Sequence, residues 1–323
     1  MDADDLALFG HDLFGEVVKP KASGPVAERF TFPPFTILDA KQGEWQERKR
    51  AWIAMGISSD SGRTGLGDTC ISAASYFNNG KTFADDSGSV FDPVLCELAY
   101  RWWCPVGGQI VDPFAGGSVR GIIAKALGYK YWGCDLRAEQ IEANILQAET
   151  IFDGYDGMSG EMFGHGDLEW IAGDSMETLH TAPDADLLFT CPPYGDLEVY
   201  SDDPADISGM EWHTFLAAYK RIILRGLGRL KDDRFACIVV GDFRDKKGFY
   251  RNFVSETIAA FEECGARLYN EAILATPIGT ACLRVTKQFS SGRKLAKVHQ
   301  NVLVFCKGDW RKAADACNLS SDE

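Results

Sequence analysis

The sequence predicts an α/β fold: a doubly wound, mainly parallel seven-stranded sheet with an antiparallel edge. Three observations carry this. From about residue 90 onward, short apolar runs alternate with segments of helical periodicity, the pattern of βαβ units. The last two apolar runs, RLYNEAILAT and HQNVLVFCK, read as strands with no helix between them, so they form the antiparallel edge. Glycine- and proline-bearing turns fall at strand ends, where open sheets of this kind hold their ligands.

Before that region the chain reads as irregular, so residues 1–85 are expected to form an irregular extension. MDADDLALFGHDLFGE is acidic and lacks the basic start of a secretory signal. Within EWQERKRAWIAMGI, Trp45 and Trp52 share one face of a short helix. SSDSGRTGLGD and NNGKTFADDSGS read as loops.

The regular elements follow in order. DPVLCELAYRWW is helical, GQIVDPF is a strand entering a turn, and GSVRGIIAKALG is a helix closed by Gly128. YKYWGCD is a strand and RAEQIEANILQAETIF a helix. EWIAGD and ADLLFT are strands, then EWHTFLAAYKRIILRGLGRL is a long helix. FACIVVGDF is a strand, YRNFVSETIAAFEECG a helix, and the two closing strands follow. Residues 86–310 thus make one domain, with 311–323 as a tail.

Composition is that of a globular protein: 46% hydrophobic and 25% charged, with net charge −14. That charge argues against a protein that coats nucleic acid nonspecifically. No apolar run approaches the roughly 20 residues of a spanning helix, so a cytoplasmic protein is expected. The ten cysteines form no CxxC pair and no zinc spacing, and most read as small buried residues of a reducing compartment. No metal is expected.

VDPFAGGSVRG places Asp112, Pro113, Phe114, Gly116, Gly117 and Ser118 between a strand and a helix. Small residues there let a ligand approach the backbone, and the helix start favours an anionic group. The next strand ends at Asp135, whose carboxylate can accept from both hydroxyls of a ribose. The third ends in IAGDS, where Asp174 either accepts from an adenine amino group or caps the following turn. The absence of GxGxxG, with Gly-Gly four and five residues after Asp112, favours S-adenosylmethionine over a dinucleotide.

VDPFAGGS, GCDLR, AGDS and TCPPY, in this order, resemble the amino-methyltransferases that modify DNA bases, enzymes of the Rossmann-like class I methyltransferase fold. The resemblance spans about residues 85–308, with a gamma-like motif order. YGDLEVYSDDPADIS and the segment from EAILATPIG to FCKGD look like phage and prophage members, some of which carry a ParB-like N-terminal domain that is not expected in this chain. The resemblance implies a methyltransferase catalytic domain over 86–310 and S-adenosyl-L-methionine as cofactor. It sets Phe91 and Asp92 against the methionine end of that cofactor. It further implies duplex DNA as partner, with base flipping, and no membrane; a homodimer is left open.

Implied catalytic residues are Thr190, Cys191, Pro192, Pro193 and Tyr194. An exocyclic amine is a poor nucleophile because its lone pair is delocalised into the ring. Two acceptors aimed at its hydrogens free that lone pair, and much of the catalysis is positioning. The Pro192 carbonyl is one acceptor, and the Tyr194 ring stacks on the base. The family usually has Asp, Asn or Ser where this chain has Cys191, and sulfur is a weak acceptor. Three readings stay open: the thiol or thiolate substitutes; the Thr190 hydroxyl or Asp196 carboxylate assists; or the site is impaired. Cysteine attack on a cytosine ring is disfavoured by the Cys-Pro order. Cys is closer to Ser than to Asp, which leans the target toward N4 of cytosine over N6 of adenine. The alternatives are an RNA or protein-amide methyltransferase, or a cofactor-binding protein that has lost catalysis.

Two basic clusters stand out in an acidic chain. Arg244, Lys246, Lys247 and Arg251 form one; Arg284, Lys287, Arg293, Lys294 and Lys297 form the other, without an acid over 276–300. Both are expected to track phosphates. With the 1–85 extension they are the candidates for contacting DNA.

Overall fold

The computed structural model describes residues 25–57, 91–153, 167–195, 199–278 and 281–318. An eight-stranded sheet lies at its centre: β1 Ile37–Asp39, β2 Gln109–Asp112, β3 Lys130–Asp135, β4 Leu168–Ala172, β5 Ala185–Thr190, β6 Leu230–Val240, β7 Arg267–Ala275 and β8 His299–Lys307. The helices are α1 Pro25–Phe30, α2 Gly43–Ala54, α3 Pro93–Trp103, α4 Val119–Ala126, α5 Ala138–Asp153, α6 Ser175–Thr178, α7 Trp212–Arg229, α8 Phe253–Glu263, α9 Ala281–Gly292 and α10 Trp310–Cys317.

Strand order is β1-β7-β8-β6-β5-β2-β3-β4. Strand β8 runs antiparallel to β6 and β7, and every other pairing is parallel. The sheet is therefore doubly wound and mainly parallel, and the order of winding reverses between β2 and β5. Ligands of open α/β sheets bind at such a reversal.

Strand β5 is buried at all six positions, as a central parallel strand covered on both faces must be. Its side chains alternate between two cores. Leu187 and Phe189 join Leu95, Tyr100 and Ile123 on one face. Leu188 joins Phe215, Tyr219, Ile223 and Phe253 on the other. On the first face α4 lies close to β4 because Gly121 has no side chain; a Cβ there would meet the Trp170 ring at 2.5 Å.

Four expectations are corrected. The sheet has eight strands, not seven, because Ile37–Asp39 pairs in parallel with Ile273–Ala275; three residues are too few to show an alternating pattern. Helix α9 lies between β7 and β8, although that pair is still antiparallel. Its described side chains are mostly exposed. The described part of the extension, 25–57, is folded onto the domain rather than irregular. Trp45 and Trp52 are both buried, on one face of α2 as expected. Helix α10 begins at the last residue of the expected domain and takes in residues 311–317 of the expected tail, with Ala313 buried.

Helix α2 is locked to α3 through Glu97, which is fully buried. Its carboxylate accepts from Arg48 Nε at 2.6 Å, Trp52 Nε1 at 2.9 Å and Arg101 Nε at 3.1 Å. Burial pushes this carboxyl up, but Arg48, Arg101 and the Trp52 N–H outweigh it and hold it below the ordinary range. Among the described residues no helix is long and apolar enough to cross a membrane.

Candidate active site at the carboxyl edge of the sheet

Parallel pairing brings the ends of β2, β3, β4, β5 and β6 to one edge, and the antiparallel β8 begins there. The glycine loop therefore stands beside the Cys-Pro-Pro-Tyr turn.

Asp112, at the end of β2, is fully buried. It accepts from Arg120 Nε at 2.6 Å, Tyr131 Oη at 2.8 Å and Thr190 Oγ1 at 2.5 Å. Arg120 also donates to the Phe114 and Ala115 carbonyls. A buried carboxylate needs such partners. Asp112 thus organises the loop from beneath rather than facing the crevice. Thr190 is also fully buried, and its hydroxyl proton goes to Asp112; it links β5 to β2 and does not point at a substrate.

The glycine loop is stitched to its surroundings. Ala115 N–H donates to the Cys134 carbonyl at 2.8 Å, and Gly116 N–H donates to Asp135 Oδ2 at 3.0 Å. Asn144 holds the Gly116 carbonyl at 2.7 Å, the Ser118 hydroxyl meets Gln147, and the Ser175 hydroxyl donates to the Pro113 carbonyl at 2.5 Å. Gly116 has φ +51°, a conformation costly for other residues. Gly117 is exposed, and a Cβ on it would meet nothing within 4 Å. The loop thus presents open backbone to the crevice.

Asp135 is half-buried at the end of β3. Its carboxylate is oriented by the N–H groups of Gly116 and Arg137, both at 3.0 Å. Burial raises its pKa, and those two N–H groups act against the rise. Asp174 caps α6, accepting from Met176 N–H at 2.8 Å. The cap expected as one of its two roles is therefore present, and its half-buried carboxylate retains further lone pairs. Asp92 caps α3 through Val94 and Leu95 N–H and also accepts from Trp45 Nε1 and Lys49 Nζ, both at 3.2 Å. That carboxylate serves the docking of α2. Phe91 packs edge-on to Phe189, and Arg120 lies 4.7 Å from its ring centroid. The half-buried Phe114 packs against Tyr219.

After β5, Pro192 is buried, while Cys191, Pro193 and Tyr194 are half-buried. The Tyr194 ring meets Phe243 at 6.0 Å and Phe253 at 6.1 Å, both edge-on. Its hydroxyl accepts from Gln300 Nε2 at 3.1 Å. A Cβ on Gly241 would stand 3.4 Å from Lys297 Cε and 3.8 Å from Tyr194 Oη, in ordinary contact with both. Lys297 therefore lies beside Tyr194, half-buried. Burial lowers its pKa, with Asp242 opposing. His299 is also lowered, by burial and then by Lys297. Asp196 lies outside the described residues, as do Glu198 and the side chain of Arg284.

The two basic clusters, far apart in sequence, meet. Lys294 Nζ lies 2.7 Å from where a Cβ on Gly248 would stand. Arg244 donates to the Gly248 carbonyl at 2.9 Å and lies 4.0 Å from the Tyr250 centroid. Lys247, Lys287 and Arg293 are exposed, and Arg293 lies over Phe289. Arg251 lies over Trp212. Sequence reading missed Arg120, Gln300 and the cage of Phe243, Phe253 and Trp212 around Tyr194. Only the arginine left a signal, as a cation eight residues after Asp112 at the start of a mostly apolar helix.

No known family profile and no curated protein matches the chain. Solved structures do. The chain is similar to TrmN from Thermus thermophilus at 14% identity and TM-score 0.42, over 67% of this chain and 49% of that one, so it spans about half of that protein's length. It is similar to magnesium protoporphyrin IX methyltransferase from Synechocystis PCC 6803, solved with bound S-adenosylmethionine, at 8% identity and TM-score 0.40, over 66% and 76%. It is similar to a second Thermus thermophilus protein, described as a candidate DNA modification methylase, at 18% identity and TM-score 0.32, over 42% and 52%. Likeness at this level concerns the fold, and the chemistry of the site rests on this chain's own residues.

Proposed function

We propose that the protein is an S-adenosylmethionine-dependent methyltransferase acting on the exocyclic amine of a nucleobase extruded from duplex DNA, with N4 of cytosine favoured. One observation carries this reading. The glycine loop and the Cys-Pro-Pro-Tyr turn leave adjacent strands at the reversal of the sheet, tied at their bases by Thr190 and Asp112 at 2.5 Å. A donor on one loop and an acceptor on the other would therefore meet.

The residues present fit the donor. The backbone at Gly117 is open, which admits a ligand closely. Asp135 offers an aimed carboxylate to ribose hydroxyls, and Asp174 offers one to an adenine amine. When bound, the donor supplies an electrophilic methyl group on a sulfonium.

The chain supplies the rest. Pro192 has no N–H to contribute, but its carbonyl can accept one amine hydrogen and the following proline restrains it. With Thr190 turned toward Asp112, the acceptor for the second hydrogen is Cys191 or the Asp196 carboxylate. Tyr194, braced by Phe243, Phe253 and Gln300, supplies a stacking face worth ~1–3 kcal/mol per base, which offsets the few kcal/mol of extrusion.

The test is calorimetric titration with S-adenosylmethionine, then transfer of a tritiated methyl group to duplex DNA. Saturable binding and label in DNA are expected, and sequencing of the methylated DNA gives base and context. A protein that does not bind the donor, or that labels tRNA or protein but never DNA, ends this reading.

A further inference from the structure

The turn after β6 carries an unexpected side chain. Phe249 is 73% exposed, the most exposed large apolar residue among those described, and Leu295 follows at 71%. A single exposed apolar side chain is ordinary on a protein surface; what sets Phe249 apart is the turn that presents it and the charge around it.

The turn is built to present Phe249. Arg244 and Tyr250 form an isolated antiparallel bridge at its base. Asp245 N–H donates to the Phe249 carbonyl at 2.8 Å, and Phe249 N–H donates to Asp245 Oδ1 at 2.9 Å. Gly248 N–H donates to the Asp245 carbonyl at 2.9 Å, and Arg244 takes the Gly248 carbonyl. The tip is closed on itself, so little conformational freedom remains to be lost on contact. Asp245, the acid within the turn, folds its carboxylate inward onto Phe249 N–H.

What surrounds the tip is cationic. Lys246 and Lys247 are exposed on it, and Lys294 reaches across from the neighbouring segment to Gly248, bringing the exposed Arg293 and Leu295 alongside. In a chain of net charge −14 this is a local reversal of sign. An apolar prow rimmed by cations suits a polyanion with an apolar interior, which describes a stacked duplex. The turn begins just past Phe243, which packs on Tyr194. Arg251 N–H donates back to the Phe243 carbonyl at 2.9 Å, so the base of the turn is rooted beside Tyr194.

We propose that Phe249 is a wedge that enters the base stack of duplex DNA and occupies the gap left by the extruded nucleotide, while Lys246, Lys247, Arg293 and Lys294 take the flanking phosphates. This rests on the methyltransferase reading above. The wedge lowers the cost of extrusion and delays the base's return.

The test uses the full chain and a synthetic duplex carrying the methylated site found by sequencing. 2-Aminopurine at the target position brightens when it leaves the stack. Phe249→Ala should lower that signal at saturating protein, and lower methyl transfer on the paired duplex, by about tenfold or more. Phe249→Leu, which keeps an apolar wedge, should retain most of both. Donor binding should be unchanged in each, since the residues that would hold the donor lie on the loops after β2, β3 and β4 and Phe249 lies on the turn after β6. Mispairing the target base should restore Phe249→Ala to within about threefold of the intact protein, because extrusion is then easy. Equal signal and transfer by Phe249→Ala on paired DNA overturns the wedge, and so does a deficit that persists on mispaired DNA. An intact protein inactive on every duplex instead overturns the methyltransferase reading, and the wedge with it.

Discussion

Thr190 Oγ1 donates to Asp112 Oδ1 at 2.5 Å, and both residues are wholly buried between neighbouring strands. The bond joins the last residue of β5 to the last residue of β2, so the glycine loop and the Cys-Pro-Pro-Tyr turn each depart from a fixed point. Thr190→Val deletes the donor and leaves a buried carboxylate short of one partner. A stability loss of ~1–3 kcal/mol is expected in urea denaturation. Asp112→Ala strands the Arg120 guanidinium in the core and should cost ~3–5 kcal/mol. A Val variant as stable as the parent would show that the link contributes nothing.

Asp135 titrates in a useful direction. Burial raises its pKa despite the N–H groups of Gly116 and Arg137. Ribose hydroxyls donate to the ionised form, so donor binding draws the proton off and bound Asp135 titrates lower than free Asp135. Affinity should therefore fall on acidification through the free-state pKa, beginning above the pH at which an ordinary aspartate protonates. Asp135→Asn should bind at least about tenfold more weakly at neutral pH, since hydrogen bonds to a charged group contribute ~1.5–3 kcal/mol, and should lose most of the pH dependence. Calorimetry across the range where the fold persists reads both.

Tyr194 offers a ring and a hydroxyl, and they can be separated. Tyr194→Phe keeps the ring and loses the bond from Gln300, and transfer should stay within about threefold of the parent, an effect below ~1 kcal/mol. Tyr194→Ala removes the stacking face, worth ~1–3 kcal/mol, so transfer should fall roughly 5- to 150-fold while donor affinity holds. A Phe variant as poor as the Ala variant would move the function from the ring to the hydroxyl.

Cys191 is best interrogated by Ser. A hydroxyl is a better acceptor than a thiol, so Cys191→Ser should match or exceed the parent in initial rate of methyl transfer. Complete loss in that variant would point to chemistry at sulfur instead.

Arg293 and Lys294 report on phosphate contact. Reversing both charges should weaken duplex affinity and lower the slope of log affinity against log salt by roughly two, at about 0.9 per phosphate released. An unchanged slope would return these side chains to ordinary solvation.

Much of this was legible in the sequence because the central strands and helices are long, periodic and bounded by turn residues, from the buried run Ala185–Thr190 to the amphipathic Trp212–Arg229. The pairing of Trp45 and Trp52 was legible for the same reason. Strand β1 was not: three residues carry no period. Nor was α9, whose described side chains are mostly exposed. At the site, sequence spacing located the motif residues but could not say which way each side chain turns. Thr190 and Asp112 face one another rather than a ligand, and Asp92 turns to Trp45 and Lys49. Phe249 escaped notice because a single aromatic in a basic turn has no pattern; its meaning lies in its exposure.

Strand β1 carries a practical consequence. It pairs along the outer rim of β7, whose backbone N–H and C=O groups would otherwise be offered to solvent. A fragment trimmed to start at residue 86 would lose that cover together with the tryptophans that seat α2 on α3. The bared rim would invite strand addition from other molecules, so such a trimmed protein should self-associate through β7 even while its glycine loop and Cys-Pro-Pro-Tyr turn stay intact.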